Sequence, residues 1–382
     1  MKKLFLVTTL SILTIGAAFA QRGKVNTAEF NLTTGDVEKA KENIDGAFSD
    51  ESMNEWSKAW RVKGDVYKSI YELKDVNSSL YASTPNTLTI AKEAYIKFYN
   101  IEEKPKRKAQ IKDGLKSVGA YFYNNGIAAY GKNNWEVAYD NFNQALEISE
   151  FLYDKDLEST IDTNAYFVVL LSSYNSQNLE DALKAGEKLV ELNDERPEVY
   201  TVLINVHQQM GNDKEYEKTI TEARSKFPDD TDILFHEINL YLKNDELDKL
   251  EEKLELAIDV DPNNPSLYQA MASVYDRKGN QEGALKMYDK AIEADPQYID
   301  AYINKASIYN KEANVVIEKM NSEMDNKKYD LLKRERDAIF KDKMIPLLRK
   351  ALSINPDNEN VKVVLKEIYA RLDMMDEVKK LD

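Results

Sequence analysis

The chain has no cysteine and only two histidines, and its 382 residues include just 13 glycines and nine prolines. Without cysteine it forms no disulfide and no thiolate metal site, and it offers no thiol for lipid attachment. So little glycine and proline disfavours a turn-rich all-β fold. What it does have is 43% hydrophobic and 31% charged residues, which is enough for a sizeable packed core. The composition therefore predicts an all-α protein.

Basic charge is also scarce, because 52 Lys and Arg stand against 67 Asp and Glu, for a net charge of −15. Such an acidic surface repels phosphate backbones and anionic lipids, which argues against nucleic acid and membrane-surface partners. The expected partner is a neutral or basic protein segment. An anion would bind at one basic cluster (Lys104, Lys106, Arg107 and Lys108), although a solvated helix start is the alternative interpretation.

Residues 1–20 have the pattern of a bacterial-type export signal. Lys2 and Lys3 precede an apolar stretch, and residues 18–20 read Ala-Phe-Ala, a small-x-small cleavage site. We expect a signal peptide over residues 1–20, with an uncleaved membrane anchor as the alternative. No later segment has the length of a membrane-spanning helix. The chain cleaved after Ala20 is expected to be soluble in the periplasm or cell envelope.

A helix-stop signal recurs at a fixed interval along the centre of the chain. Pro228, Pro262 and Pro296 are evenly spaced. Between the last two, small and apolar side chains fall at spacings of three and four on either side of a Gly-Asn turn, which is typical of two amphipathic helices in a hairpin. These side chains are Tyr268, Met271, Ala272, Tyr275, Ala284, Tyr288 and Ala291.

This unit resembles the tetratricopeptide repeat, which is about 34 residues long and has the pattern W-x2-L-G-x2-Y, then A-x3-F-x2-A and a late Pro. The two preceding units align in the same register, and looser matches extend the resemblance over most of residues 27–382. It implies an all-α, right-handed superhelical α-solenoid of helix hairpins, in which each hairpin covers the apolar face of its neighbour. The aligned residues of those two units are Tyr200, Leu203, Ile204, His207, Tyr216, Ile220 and Ala223, and Leu234, Glu237, Ile238, Tyr241, Leu250, Leu254 and Ala257.

The looser matches suggest how the chain is divided. We expect an N-terminal helical tetratricopeptide-like block at 21–103 and a basic joint at 104–116, where charge and proline interrupt the pattern. The main array then covers 117–382. Its last helices, 359–382, lack the small-residue positions and carry charge, as capping helices do.

One hairpin of the main array is elongated, at about 310–344. Tyr309 and Met344 are separated by almost four times the spacing that the other repeats place between the equivalent positions, and the residues between them have a helical period. An inserted helical extension over 313–342 therefore lengthens both helices of this hairpin, either as a binding element or as a structural elaboration. Pro346 lies in the returning helix and is expected to bend it.

Catalytic and metal-binding groups are few. His207 takes the position that holds tyrosine in sister repeats, so a packing role is expected. His236 and Glu237 start the motif H-E-x-x-H, but Leu240 stands where its second histidine is required. No phosphate-binding glycine loop and no nucleophile elbow is present in the sequence. We expect no enzyme activity, catalytic residue, cofactor or metal, and keep an enzyme of unrecognised type as an alternative.

The resemblance implies that one face of each first helix lines an inner groove. In this chain those faces carry amide, hydroxyl and carboxylate side chains with a few apolar ones between them. Such a surface could hydrogen-bond an extended peptide backbone, and the alternative is that it is ordinary polar surface. The Lys and Arg with which some family members clamp a C-terminal carboxylate are missing from them. The candidate groove contacts are Thr201, Asn205, Gln208, Phe235, Asn239, Leu242, Gln269, Ser273, Asp276, Ile303, Ser307 and Asn310.

Toward the N-terminus the equivalent face becomes aromatic and apolar. It would either receive a partner helix or be covered by the N-terminal block. The candidate apolar patch consists of Tyr123, Ile127, Tyr130, Phe167, Leu171 and Tyr174.

Together these features predict a non-enzymatic scaffold or adaptor in the bacterial cell envelope, which binds a partner peptide or helix in its concave groove. An envelope assembly factor that binds lipopolysaccharide or peptidoglycan components is the alternative, and the acidic surface counts against it.

Overall fold

The computed structural model describes residues 19–381, so most of the predicted signal peptide lies outside the described residues. The chain divides into two compact units, the first ending at Tyr216 and the second beginning at Glu217. Residues 19–381 contain helices and turns but no strand. The prediction of an all-α fold is therefore confirmed.

The first unit begins with helical residues 19–33 (α1) and continues through short and long helices to α11. Two 3-10 turns, Glu51–Glu55 and Ala109–Ile111, lie between them. The helices after α1 are α2 (Val37–Ala47), α3 (Ser57–Glu72), α4 (Ser78–Ala82), α5 (Thr87–Ile101), α6 (Pro105–Lys108), α7 (Lys112–Tyr130), α8 (Trp135–Asp154), α9 (Thr163–Asn175), α10 (Leu179–Glu191) and α11 (Pro197–Met210).

Helix α12 (Asp213–Lys226) contains the boundary between the units, and the remaining helices belong to the second unit. A π-helical segment, Ile339–Met344, joins α18 directly to α19. These helices are α13 (Thr231–Lys243), α14 (Leu247–Val260), α15 (Pro265–Arg277), α16 (Gln281–Ala294), α17 (Ile299–Ser322), α18 (Asn326–Ala338), α19 (Ile345–Ile354), α20 (Glu359–Arg371) and α21 (Met375–Lys379).

The first helices of successive hairpins begin at the same constant interval as the repeat in the sequence. The first helices α9, α11, α13, α15 and α17 begin at Thr163, Pro197, Thr231, Pro265 and Ile299, which are spaced at the same interval as the three prolines of the stop signal. Pro at the start of α11 and α15 is compatible with the first helical position, because the N–H it lacks has no helical acceptor there. The regular array thus extends one hairpin further toward the N-terminus than the three aligned units of the sequence.

The turn inside each hairpin also repeats. Gln177, Gly211, Asp245 and Gly279 all have positive φ, between 59° and 76°, and they follow one another at the period of the repeat. The left-handed backbone at this point ends the first helix and reverses the chain. Glycine adopts it without strain, whereas Gln177 and Asp245 hold an unfavourable backbone conformation.

The packing positions predicted from the repeat are buried. Met271, Ala272, Ala284 and Ala291 are each at most 3% exposed. Tyr268 is buried as well, and its hydroxyl donates to the carbonyl of Pro262 over 2.9 Å. Tyrosine at this position therefore ties the first helix to the proline turn before it.

The predicted joint at 104–116 contains α6, a 3-10 turn and the start of α7. One hydrophobic core of the first unit includes Val25, Ile111, Leu115 and Leu152, and so continues across this segment. The division of the chain at 104–116 is a proposal about organisation, and the packing of the first unit does not stop there.

The elongated hairpin is present, with arms of different construction. Helix α17 has 24 residues, against 13 in α15. The returning arm consists of α18, the π-helical segment and α19. Pro346 has no N–H to donate into the preceding turn. The π-helical segment ends two residues before it, and this wider turn is how the backbone accommodates a proline inside a continuous helical arm.

Candidate functional site

Three of the predicted groove residues line a cleft of about 430 Å³ in the second unit, which we call the α17 cleft. Ile303, Ser307 and Asn310 lie on one face of α17 because they follow each other at spacings of four and three. Across the cleft, α20 contributes two of the other walls, Asn360 and Val364. The full lining is Asp300, Ile303, Ala306, Ser307, Asn310, Met344, Leu348, Asn358, Asn360, Val361 and Val364.

The floor of the α17 cleft is apolar and tightly packed. Ala306, Met344, Leu348 and Val361 are each at most 3% exposed. Met344 and Leu348 reach the cleft from the π-helical segment and α19, so the elongated hairpin forms part of this site. Val364 is 38% exposed and offers an apolar contact to a ligand.

The rim of the cleft carries free amide groups. The side chains of Asn310 and Asn360 are exposed and make no hydrogen bond within residues 19–381. Asn358 differs, because its side chain caps α20 by accepting from the backbone N–H of Val361 over 3.1 Å. A free side-chain amide both donates and accepts, which matches the alternating groups of an extended peptide backbone.

The charge around the cleft is negative or neutral. Asp300 lines it, and no lysine or arginine does. The cleft therefore lacks the basic groups that would bind a terminal carboxylate, in agreement with the absence noted in the sequence.

Asn358, Asn360 and Val364 were missed by the sequence interpretation, because the last helices were assigned a capping role. A signal was available in the run N-P-D-N-E-N before α20, which contains more amide side chains than one helix cap needs.

On α13 and α15 the predicted groove residues are less uniform. Phe235 and Leu242, on α13, are 38% and 48% exposed, and Asn239 between them is exposed. On α15, Ser273 is exposed and Gln269 is half-buried. Asp276 is already engaged, since Nζ of Lys311 lies 2.7 Å from its carboxylate.

In the first unit, the predicted residues of α11 are also partly engaged. Thr201 donates its hydroxyl to the carbonyl of Pro197 over 3.3 Å. Asn205 is half-buried and Gln208 is exposed. Asn205 and Gln208 therefore have side-chain amides on this face, while the hydroxyl of Thr201 is used in a hydrogen bond within α11.

The candidate apolar patch is brought together by contacts between α7, α9 and α11. The amide of Asn175 donates to the hydroxyl of Tyr130 over 3.2 Å, and the amide of Gln209 donates to that of Tyr174 over 3.0 Å. The guanidinium of Arg196 lies 4.0 Å from the centre of the Phe167 ring. First helices of consecutive hairpins thus lie side by side and share one surface.

The N-terminal helices also pack against α7, and Tyr123 of the patch is a partly buried neighbour of the core that they share with it. Leu115, Val118 and Phe122 belong to the core that these helices share, and Tyr71 donates its hydroxyl to Asn125 over 2.7 Å. Ile127, at the patch, is 51% exposed. Packing of the N-terminal block therefore reaches Tyr123 of the patch and leaves Ile127 exposed.

The two histidines are at least partly buried. His207 is 6% exposed, and burial lowers the pKa of its imidazole. Burial lowers the pKa of His236 in the same way. Neutral, packed imidazoles agree with the packing role expected for His207. Within residues 19–381 no group of three or more His, Asp or Glu side chains is arranged to hold a metal ion.

These features define an all-α protein of regularly repeated helix hairpins, with an apolar cleft and free amides on the face of the first helices. A family model described as tetratricopeptide repeat matches residues 136–310, from α8 into α17. Residues 136–310 of the chain therefore carry tetratricopeptide repeats, and the resemblance noted in the sequence is confirmed. It matches no curated protein sequence.

Solved structures that match this chain cover about half of it. The MamA protein is 18% identical, with a TM-score of 0.40 over 47% of this chain and 92% of MamA. YrrB, a tetratricopeptide repeat protein described as having an unusual peptide-binding site, is 21% identical, with a TM-score of 0.40 over 56% of this chain and 98% of YrrB. TTC0263 of Thermus thermophilus is 20% identical, with a TM-score of 0.33 over 50% of this chain and 98% of that protein.

Proposed function

We propose that this protein is a non-enzymatic scaffold that holds an extended segment of a partner protein in the α17 cleft. The observation that carries the proposal is the combination of an apolar floor with the free amides of Asn310 and Asn360. The amides would hydrogen-bond the partner's backbone, and the floor would receive one apolar side chain. Asp300 favours a neutral or basic partner over an acidic one.

A peptide selection tests this proposal directly. Random peptides are displayed and selected on the chain lacking residues 1–20, and the Kd of enriched sequences is measured for wild type and variants. Val364→Glu places a charge in the cleft and should abolish binding. Val363→Glu is the matched control, because Val363 is 53% exposed on the same helix but does not line the cleft.

The amide contribution is measured by Asn310→Ala. Loss of one hydrogen-bonding amide should weaken binding by roughly fivefold, because a single hydrogen bond contributes about 1 kcal/mol. Enriched peptides whose affinity is unchanged by both Val364→Glu and Asn310→Ala would bind elsewhere, and the cleft would then not be the site.

We also propose that the scaffold acts in the bacterial cell envelope after export. Support comes from the export-signal pattern of residues 1–20. No helix within residues 19–381 has the length and apolar character needed to cross a bilayer. The mass of the protein recovered from the envelope should correspond to a chain that begins at Gln21. A protein of full mass in the cytoplasm would contradict this part of the proposal.

A further inference from the structure

Helix α18, in the elongated hairpin, is a helix with an unused face. None of its 13 residues is buried. Leu332 packs with the core of the hairpin, whereas Leu331 is 62% exposed. Lys327 and Arg334 lie on the same side of the helix as Leu331, at spacings of four and three, and Lys328 borders them. Asp330 and Glu335 are also exposed beside Leu331, so basic side chains outnumber acidic ones by three to two around this apolar side chain.

The basic side chains of this face, Lys327, Lys328 and Arg334, form no ion pair with a carboxylate in the part of the chain that the structure describes. Lys327 and Lys328 also stand in the first turn of α18, where the helix dipole disfavours positive charge, and the acidic group at this helix end is the N-cap Asp325, whose carboxylate accepts from their backbone N–H groups. They therefore do not stabilise their own helix, and an acidic partner would relieve this unfavourable arrangement.

The opposite arrangement occurs on α14, also in the second unit. Leu256 and Val260 are 43% and 60% exposed. Glu252, Glu255 and Asp259 surround them on the same helix face, since all five residues follow at spacings of three and four. Glu252 is ion-paired with Lys253 over 3.3 Å, so Glu255 and Asp259 carry the negative charge of this face. Glu255 and Asp259 form no ion pair within the described part of the chain, and no basic residue accompanies Asp259 in the last turn of α14. Negative charge at that end of a helix is unfavourable.

We propose that α18 of one copy docks on α14 of a second copy of this chain. Basic side chains lie at the start of α18 and acidic side chains at the end of α14, where each helix dipole disfavours them. The basic face of one helix complements the acidic face of the other. Leu331 supplies an apolar contact for Leu256 and Val260. A contact between two helix faces is small, so the association is weak and is seen best at high protein concentration and low salt. It is independent of peptide binding in the α17 cleft.

Charge reversal tests the contact from both sides. Sedimentation equilibrium over a concentration series should show self-association of the wild-type chain that weakens with added salt. Lys327→Glu with Arg334→Glu should weaken it by more than about tenfold, because like charges then face each other. Glu255→Lys with Asp259→Lys should do the same. An equimolar mixture of the two variants should associate, because the reversed faces complement one another.

The control for the α18 variant is Lys286→Glu with Lys350→Glu, which lowers the net charge by the same amount at exposed positions outside α14 and α18. It should associate like wild type, and circular dichroism confirms that every variant is folded. A wild-type chain that stays monomeric at all concentrations contradicts the proposal and leaves the α18 face to an acidic segment of another protein. If an equimolar mixture of the α18 and α14 variants does not regain self-association, the pairing of α18 with α14 is contradicted.

Discussion

Arg224 and Glu237 form a largely buried ion pair in the second unit. Nε of Arg224 lies 3.0 Å from a carboxylate oxygen of Glu237, and the two side chains are 15% and 10% exposed. Tyr241 donates its hydroxyl to the other oxygen over 3.1 Å. The position equivalent to Glu237 in the next repeat is Met271, an apolar core residue. In this repeat a charged side chain with its ion-pair and hydrogen-bond partners stands at that core position.

Removal of one member of this pair should be more harmful than removal of both. Glu237→Ala leaves the guanidinium of Arg224 without its carboxylate and should lower the free energy of unfolding by about 3 to 5 kcal/mol. Glu237→Leu combined with Arg224→Met restores an apolar contact and should recover most of that loss. Urea unfolding of the wild type, the single variant and the double variant measures these free energies. Equal losses in the single and double variants would show that an unpaired buried charge is not the cause.

The left-handed turn position allows a reciprocal test. Gln177 has a φ of 63° and Gly211 a φ of 71° at equivalent points of successive hairpins. Gln177→Gly should raise the free energy of unfolding by up to about 1 kcal/mol, because glycine removes the left-handed strain. Gly211→Gln should lower it by a similar amount. Thermal or urea unfolding shows whether the two changes have opposite signs, as they must if the backbone is responsible.

Glu102 connects stability to pH. Its carboxylate is 7% exposed, and burial acts to raise its pKa. Hydrogen bonds from the backbone N–H of Lys104 and the hydroxyl of Ser57, together with the charge of Arg107, outweigh burial and hold the pKa below its ordinary value. The ionised form is therefore favoured in the folded state. Its stabilising contribution is present above the unfolded-state pKa of about 4.3 and is lost as the pH falls through the folded-state pKa.

Glu102→Gln removes this dependence on ionisation. At neutral pH the variant should be less stable than wild type, and the difference should shrink as the solution is acidified. Glu103→Gln is the matched control, since Glu103 is the exposed neighbour. Unfolding curves of the three proteins at neutral and acid pH measure the effect. A difference for Glu102→Gln that does not change with pH would show that the carboxylate charge is not involved.

The elongated hairpin should be separable from the array. Its buried residues, among them Val316, Met320, Ile339 and Phe340, belong to the core formed with the base of the hairpin. Replacement of residues 316–340 by a short Gly-Asn turn should leave the remaining repeats folded, because each hairpin depends chiefly on its neighbours. Far-ultraviolet circular dichroism measures the retained helix. Loss of helix beyond the residues removed would show that the extension is required for folding.

Much of the fold could be predicted because the repeat fixes local and tertiary structure together. The apolar spacing specifies the helices, and the constant interval between equivalent positions specifies that each hairpin covers the next. Buried Ala272 and Ala291 are where the spacing placed them. Even the elongated hairpin follows from the unusually wide separation of Tyr309 and Met344.

The remaining features depend on side chains that are distant in sequence. Nothing in the local pattern indicates that Lys311 pairs with Asp276, or that Asn360 faces Asn310 across one cleft. The π-helical segment before Pro346 was also unforeseen, because a bend and a local change of helix type are equivalent solutions for an interior proline. Site residues are therefore less predictable than the framework that carries them.

Crosslinking in cells tests whether the α17 cleft binds a partner protein. A photoreactive amino acid is placed at the position of Ser307, in the cleft, and in a separate chain at the exposed position of Lys286, outside it. Light should yield a discrete protein adduct, identified by mass spectrometry, from position 307 and not from position 286, and Val364→Glu should abolish this adduct. Equal adducts from both positions, or none from position 307, would contradict partner binding in the cleft.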